Sequence, residues 1–178
     1  GSVYLFEKSP SDTASWMQVA KLTSDDGEAN DNFGSSVAIS GNTAIVGEPG
    51  DNKIQSSDEL DASAPSDNLA GAAYIFVRNS DESWPEYPTY KLTASEHGVV
   101  DLFGRSVAIS GATVIIGAYT QGATGQYFDG DSMPTDGYGA AYIFVRNNNE
   151  SWPENETQKL TASNGAMSDY FGYSVAIS

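Results

Sequence analysis

The eight residues FGSSVAIS at 33–40 return as FGRSVAIS at 103–110 and as FGYSVAIS at 171–178. The copies begin at Phe33, Phe103 and Phe171, and thus recur at nearly equal intervals along the chain. Two further segments keep the same register, GAAYIFVRN at 71–79 and 139–147 and KLTAS at 91–95 and 159–163. Self-similarity at a fixed period indicates a protein built from stacked structural repeats.

The spacing inside the repeat separates a constant frame from two variable loops. A glycine precedes the lysine of the KLT segment at an identical distance in three places, at Gly1–Lys21, Gly71–Lys91 and Gly139–Lys159. The distance from that lysine to the next Phe-Gly is also identical in all three copies. The length changes between Phe-Gly and the next GAAY, so the variable loops lie within 48–70 and 118–138. Loops that vary on a fixed frame are where binding residues concentrate.

Each repeat contains four short apolar runs, which predict four β-strands. They are SVAIS, then TAIVG or TVIIG after a short glycine-containing turn, then AAYIFV, and finally KLT. We predict an all-β fold of tandem four-stranded antiparallel blades, forming a β-propeller or a related repeat assembly. The predicted units are strands three and four of one repeat (1–32), two complete repeats (33–102 and 103–170) and a first strand (171–178). Two complete units are fewer than a closed propeller needs, so we expect a larger working assembly or fibre.

The segment DYFGYSVA at 169–176, together with Gly47-Glu48-Pro49 after a second strand, resembles the FG-GAP repeats of integrin α-subunits and of secreted microbial proteins. The resemblance implies propeller blades and an extracellular, non-catalytic role in adhesion, binding or scaffolding. The integrin-type repeats carry a calcium loop of pattern D-x-D-x-D-G-x-x-D before the GAP strand. Here that place holds Ser-Gly-Asn at 40–42 and Ser-Gly-Ala at 110–112, so this calcium loop is absent.

The net charge limits the classes of partner that this protein can bind. Eight Lys and Arg face 24 Asp and Glu, for a net charge of −16. We expect no nucleic-acid partner, and an anionic membrane surface is disfavoured, because both require clustered cations. The longest apolar runs, such as 72–77, are too short to insert into a membrane. With no cysteine and with His97 as its one histidine, the sequence offers no set of catalytic residues, and we predict that the protein is not an enzyme.

Aspartates form two candidate groups for calcium. One lies two residues before each Phe-Gly and comprises Asp31, Asp101 and Asp169; the alternative role of these residues is to accept backbone N–H groups at a tight turn. The other lies in the variable loops and comprises Asp51, Asp67, Asp129, Asp131 and Asp136. Calcium prefers six to eight oxygen ligands, which such loops can supply. The alternative is a solvated acidic loop.

Aromatic residues and two N-glycosylation sequons are the remaining candidate site residues. Trp16, Trp84 and Trp152 occur once per unit, which favours a packing role. The aromatics of the second loop do not recur, so Tyr127, Phe128 and Tyr138 are predicted to contact a partner. Asn149-Glu-Ser and Asn155-Glu-Thr match the N-glycosylation signal.

Three functions fit this sequence. The favoured one is a secreted or cell-surface module for adhesion or scaffolding that binds other proteins or further copies of itself. The first alternative is a carbohydrate-binding, lectin-like propeller that uses the loop aromatics to hold glycans. The second is a non-catalytic support within a larger secreted hydrolase.

Overall fold

A computed structural model describes residues 1–9, 11–12, 14–51, 69–96, 98, 100–123 and 137–178. Within these ranges the chain forms ten β-strands and no helix. The strands are β1 (Val3–Lys8), β2 (Trp16–Leu22), β3 (Ser36–Ser40), β4 (Thr43–Glu48), β5 (Ala72–Val77), β6 (Tyr90–Leu92), β7 (Ser106–Ser110), β8 (Thr113–Ala118), β9 (Ala140–Val145) and β10 (Gln158–Leu160). The described part of the chain therefore contains no helix that could cross a membrane.

The strands form two four-stranded sheets and one two-stranded sheet. The first blade has the order β3-β4-β5-β6 and the second has β7-β8-β9-β10, with every neighbouring pair antiparallel. Strands β1 and β2 pair with each other in the same antiparallel way. The predicted all-β fold of four-stranded antiparallel blades is confirmed. Strand β2 is longer than its KLT segment predicts, because it begins at Trp16.

The blades stack face to face, so their central strands are buried on both sides. In β5, Tyr74 and Phe76 point into the core shared with β1 and β2, whereas Ala73 and Ile75 point into the core shared with the second blade. Side chains alternate between the two faces of a strand, which explains why a strand buried on both faces reads as a continuous apolar run. Tyr142 and Phe144 of β9 occupy the same positions one blade later and are equally buried.

The Phe-Gly motif is located at the junction between successive blades. Phe103 forms a parallel bridge with Gly71, and Phe171 forms the same bridge with Gly139. Gly104 has a φ of +91°, and a Cβ there would lie 2.1 Å from the carbonyl oxygen of Ala72. A glycine is required because the backbone of the preceding blade leaves no room for a side chain.

The three tryptophans are not equivalent. Trp152 is buried in the core between the blades, and Trp84 is half-buried against the core below it. Trp16 is the first residue of β2, lies two positions later in the repeat register than the other two tryptophans, and is 60% exposed. The predicted packing role is therefore wrong for Trp16, whose ring lies beneath the ammonium of Lys8 at 5.7 Å.

Residues 174–178 pair with no strand in the described part of the chain. The first strand predicted within 171–178 stays a prediction.

Candidate functional site

A polar cluster lies at the junction between the two-stranded sheet and the first blade, and Lys91 is at its centre. The register of β5 and β6 places Lys91 opposite Tyr74, with the ammonium 5.4 Å from the centre of the ring. Its Nζ lies 2.7 Å from Asp26 Oδ2 and 2.5 Å from Asp51 Oδ2. One ammonium therefore joins two carboxylates from different repeats.

Hydrogen bonds hold these carboxylates in place. The Tyr74 hydroxyl donates to Asp26 Oδ1 at 2.7 Å and lies 3.2 Å from Asp51 Oδ2. Ser24 Oγ donates to the same Asp26 oxygen at 2.7 Å. Burial alone would raise the pKa of Asp26, but the hydrogen bonds from Lys91, Tyr74 and Ser24 outweigh it and lower the pKa to about 2. Asp26 is thus held as a carboxylate over the whole ordinary pH range.

Glu48 is a third acidic member of this cluster, and its pKa is shifted in the direction opposite to that of Asp26. Its side chain is 1% exposed, Oε2 lies 3.4 Å from Ser24 Oγ, whose hydrogen is donated to Asp26, and Oε1 has no hydrogen-bond partner among the described residues. Burial raises the pKa of Glu48 to about 7, and the charges of Asp51, Asp31 and Asp26 act in the same direction. Near neutral pH this carboxyl therefore changes between the neutral and the charged form.

The second junction lacks most of this cluster. By the repeat register, Ala118 takes the place of Glu48 and Gln121 takes the place of Asp51. Lys159, the counterpart of Lys91, pairs only with the exposed Glu96 among the described residues, at 3.4 Å. The cluster is therefore a feature of the first junction, and the second junction shows that two blades stack without it.

The cluster does not have the geometry of a metal site. In the described part of the chain no group of three or more His, Cys, Asp or Glu residues is arranged to hold a metal ion. The position between Asp26 and Asp51 is taken by the Lys91 ammonium. The arrangement acts as a buried electrostatic link between neighbouring sheets, and the calcium role predicted for Asp51 stays a prediction.

The three aspartates before Phe-Gly each stabilise a turn. In every copy one carboxylate oxygen accepts the backbone N–H three residues earlier: Asp31 from Glu28, Asp101 from Gly98 and Asp169 from Ala166. Asp31 and Asp101 are buried, and Asp169 is exposed. This agrees with the turn role that the sequence offered as an alternative to calcium. No described residue completes a calcium site around them.

Several predicted site residues lie outside the described residues, namely Asp67, Asp129, Asp131, Asp136, Tyr127, Phe128 and also His97. Of the predicted partner-binding residues, Tyr138 is described, and its side chain is exposed.

Both sequon asparagines are described. Asn149 is exposed, and its Oδ1 accepts hydrogen bonds from the backbone N–H of Ser151 at 3.2 Å and from its hydroxyl at 2.7 Å. In the previous repeat Asp81 accepts the same two bonds from Ser83, at 3.0 and 2.6 Å. Asn149 therefore has a structural role in this turn, which an aspartate builds equally well. Asn155 is exposed too.

Sequence reasoning missed two features of the site. The Lys91 cluster had a signal, because a tyrosine and a lysine recur at the same separation in each repeat and pair across the strands, from Tyr74 to Lys91 and from Tyr142 to Lys159. The other is a group of aromatic rings at the far junction, where Tyr119 packs against Tyr170 and Tyr173. Tyr170 and Tyr173 flank the third Phe-Gly motif, but Tyr119 lies far before them in the sequence, and no motif connects it with them.

The fold and the junction motif define a tandem blade protein. The family model described as FG-GAP repeat matches residues 16–76, 89–144 and 155–178, which together cover most of the chain. The chain belongs to the FG-GAP repeat family, as its sequence predicts. No curated protein matches it.

Proposed function

We propose that this chain is a non-catalytic module of a secreted or cell-surface protein, and that it works in adhesion or scaffolding by stacking its blades on further blades. FG-GAP repeats are typically extracellular adhesion or binding modules, which supports the class of function. The observation that carries the proposal is the exposure of an aromatic face on β1.

That face repeats residues that are buried in both other sheets. Tyr4 and Phe6 correspond to Tyr74 and Phe76 and to Tyr142 and Phe144 in the repeat register. The four later residues have no exposed surface, whereas Tyr4 is 49% and Phe6 is 52% exposed. Two aromatic side chains side by side on a sheet face lose a large apolar area to water when another sheet covers them.

The opposite end of the stack offers the complementary face. Ile45, Ala73 and Ile75 of the first blade receive the aromatic face of the second blade. Of their counterparts in the second blade, Ile115 and Ile143 are only partly buried, whereas Ala141 is buried. A further blade could therefore pack on either end in the way that the sheets of this chain already pack on each other. Such a blade could come from the same protein or from another copy of this chain.

Measurement of particle mass and shape tests this proposal. We expect light scattering to give a mass above that of one chain, and electron microscopy to show a ring or fibre of stacked blades. The double substitution Tyr4→Ser/Phe6→Ser should reduce the mass, whereas Tyr87→Ser, at an exposed residue outside any strand, should not. A wild-type chain that stays monomeric at every concentration would contradict stacking between copies.

The extracellular part of the proposal has an independent test at the exposed sequons. Secretion from a eukaryotic host should add glycan mass that Asn149→Gln and Asn155→Gln remove, one site each.

The proposed calcium role of the loop aspartates is tested by thermal melting with excess calcium or excess chelator. An identical melting temperature in both conditions would contradict it.

A further inference from the structure

Three tyrosines and one arginine gather where the second blade meets residues 169–173. The ring of Tyr119 packs edge-on against Tyr170 and Tyr173, with centroid distances of 5.6 and 5.1 Å. The guanidinium carbon of Arg105 lies 5.7 Å from the centre of the Tyr173 ring. Tyr173 is 56% exposed and Arg105 is half-buried, so an aromatic ring and a cation reach the surface together.

The repeat itself shows that the fold does not require this group. In the preceding repeat the counterparts of Tyr119, Tyr170 and Tyr173 are Pro49, Leu102 and Arg105. That junction forms the same bridge and the same turn without a tyrosine at any of these positions. By contrast, the tyrosine of the third strand recurs in every copy, as Tyr4, Tyr74 and Tyr142. The aromatic group is therefore an addition to the frame.

The contacts of Arg105 differ from those of several other cations of the chain. In a chain of net charge −16, Arg78 pairs with Glu7 at 3.1 Å, and Lys91 and Lys159 pair with carboxylates of their own junctions. The guanidinium of Arg105 makes no ion pair with a carboxylate in the described part of the chain, and its described contact is the Tyr173 ring. A guanidinium presents a rigid planar fork that matches a carboxylate in two parallel hydrogen bonds.

We propose that Arg105 and Tyr173, supported by the buried ring of Tyr119 behind them, form a binding site for a saccharide that bears a carboxylate. The exposed side chain of Tyr173 suits the apolar C–H face of a sugar ring, and its hydroxyl suits a sugar hydroxyl. The Arg105 fork binds the carboxylate. This site rests on the proposed function of the chain as an extracellular binding module, and it names the ligand class.

A single carboxylate fits the electrostatics of this site better than an acidic peptide. The field of the net negative charge is screened over about 8 Å at physiological ionic strength, so one charge held against a guanidinium experiences mainly its local surroundings. A peptide with several carboxylates extends beyond that distance and meets the acidic surface. The cation next to an aromatic ring thus selects a small anionic group attached to an otherwise neutral, partly apolar body.

Titration calorimetry of the full chain tests the proposal with three probes of equal length: an oligosaccharide of neutral hexoses that ends in one hexuronic acid (the uronate probe), a neutral hexose oligosaccharide and a glutamate peptide. We expect the uronate probe to bind, and the affinity to fall about tenfold or more in Arg105→Gln and in Tyr173→Ser, because each loses a charged or stacking contact. Arg146→Gln makes the same charge change just after β9 and should leave the affinity unchanged.

The proposal is overturned if the uronate probe does not bind, if Arg105→Gln binds it as well as the wild type does, or if the neutral probe or the peptide binds more tightly. Melting temperatures of the variants show whether they fold. Light scattering on Arg105→Gln separates this site from blade stacking. An assembled particle without uronate binding contradicts the saccharide site alone, and uronate binding by a chain that never assembles contradicts the stacking alone.

Discussion

The hydroxyl of Ser36 donates a 2.7 Å hydrogen bond to the carbonyl oxygen of Gly104, the glycine of the next Phe-Gly motif. Ser106 makes the same bond to Gly172 at 2.7 Å. The first strand of each blade is thereby attached to the turn that begins the following one. The fourth residue of the FGxS motif is thus explained by a contact between repeats.

The substitution Ser36→Ala should lower the free energy of unfolding by about 1 kcal/mol, because the carbonyl of Gly104 loses its side-chain donor. Urea denaturation measures the change. Ser35→Ala is the matched control, since the Ser35 hydroxyl donates to Asn32 within its own exposed turn. If the two variants lose the same stability, the bond between the repeats contributes no more to the free energy of unfolding than the bond within the turn.

Gly104→Ala should be more damaging, with a loss of about 2–4 kcal/mol in the free energy of unfolding. The added methyl group would collide with the backbone of Ala72, and the positive φ is itself unfavourable for alanine. Gly41→Ala is the control, because Gly41 also has a positive φ, of +56°, but nothing lies within 4 Å of an added Cβ. We expect that control to lose about 1 kcal/mol. Equal losses in urea would mean that the close approach of the blades contributes nothing.

The strands and their order could be predicted from the sequence because each strand is set by a local apolar run that recurs at a fixed spacing. The Phe-Gly-x-Ser motif could be recognised, but its reason could not, since Gly104 contacts Ala72 from the neighbouring blade. The partners of Lys91 were hidden for the same reason: Asp26 and Asp51 lie far before it in the sequence and meet it only through stacking. The packing role predicted for Trp16 was wrong because each unit has one tryptophan, but Trp16 does not occupy the same position in the repeat as Trp84 and Trp152.

Lys91→Met should lower the free energy of unfolding by about 2–4 kcal/mol, because the buried carboxylate of Asp51 and the half-buried carboxylate of Asp26 lose the cation between them. Lys159→Met is its counterpart at the second junction. That lysine pairs with the well-exposed Glu96, so its loss should be below about 1 kcal/mol. Urea denaturation of both variants at one pH measures the difference. Two equal losses would contradict the assignment of the first junction as an electrostatic link.

Glu48 should make stability decline as the pH rises towards neutrality. Its pKa is raised to about 7 in the folded chain from 4.5 in the unfolded chain. The folded state therefore keeps a proton that the unfolded state releases, and this stabilisation is complete below pH 4.5 and is lost as the pH rises through 7. We expect the effect of this group to amount to about 1–3 kcal/mol between pH 5 and 8. The lowered pKa of Asp26 acts in the opposite direction, but only below about pH 4.

Glu48→Gln keeps the size of the side chain and removes the titration, so it should flatten the decline between pH 5 and 8 and be the more stable protein at pH 8. Glu154→Gln removes one negative charge from an exposed position and corrects for the change in net charge. Urea denaturation at half-unit pH steps measures the slope for all three proteins. A slope that persists in Glu48→Gln would assign the pH dependence to the general acidity of the chain and not to the junction.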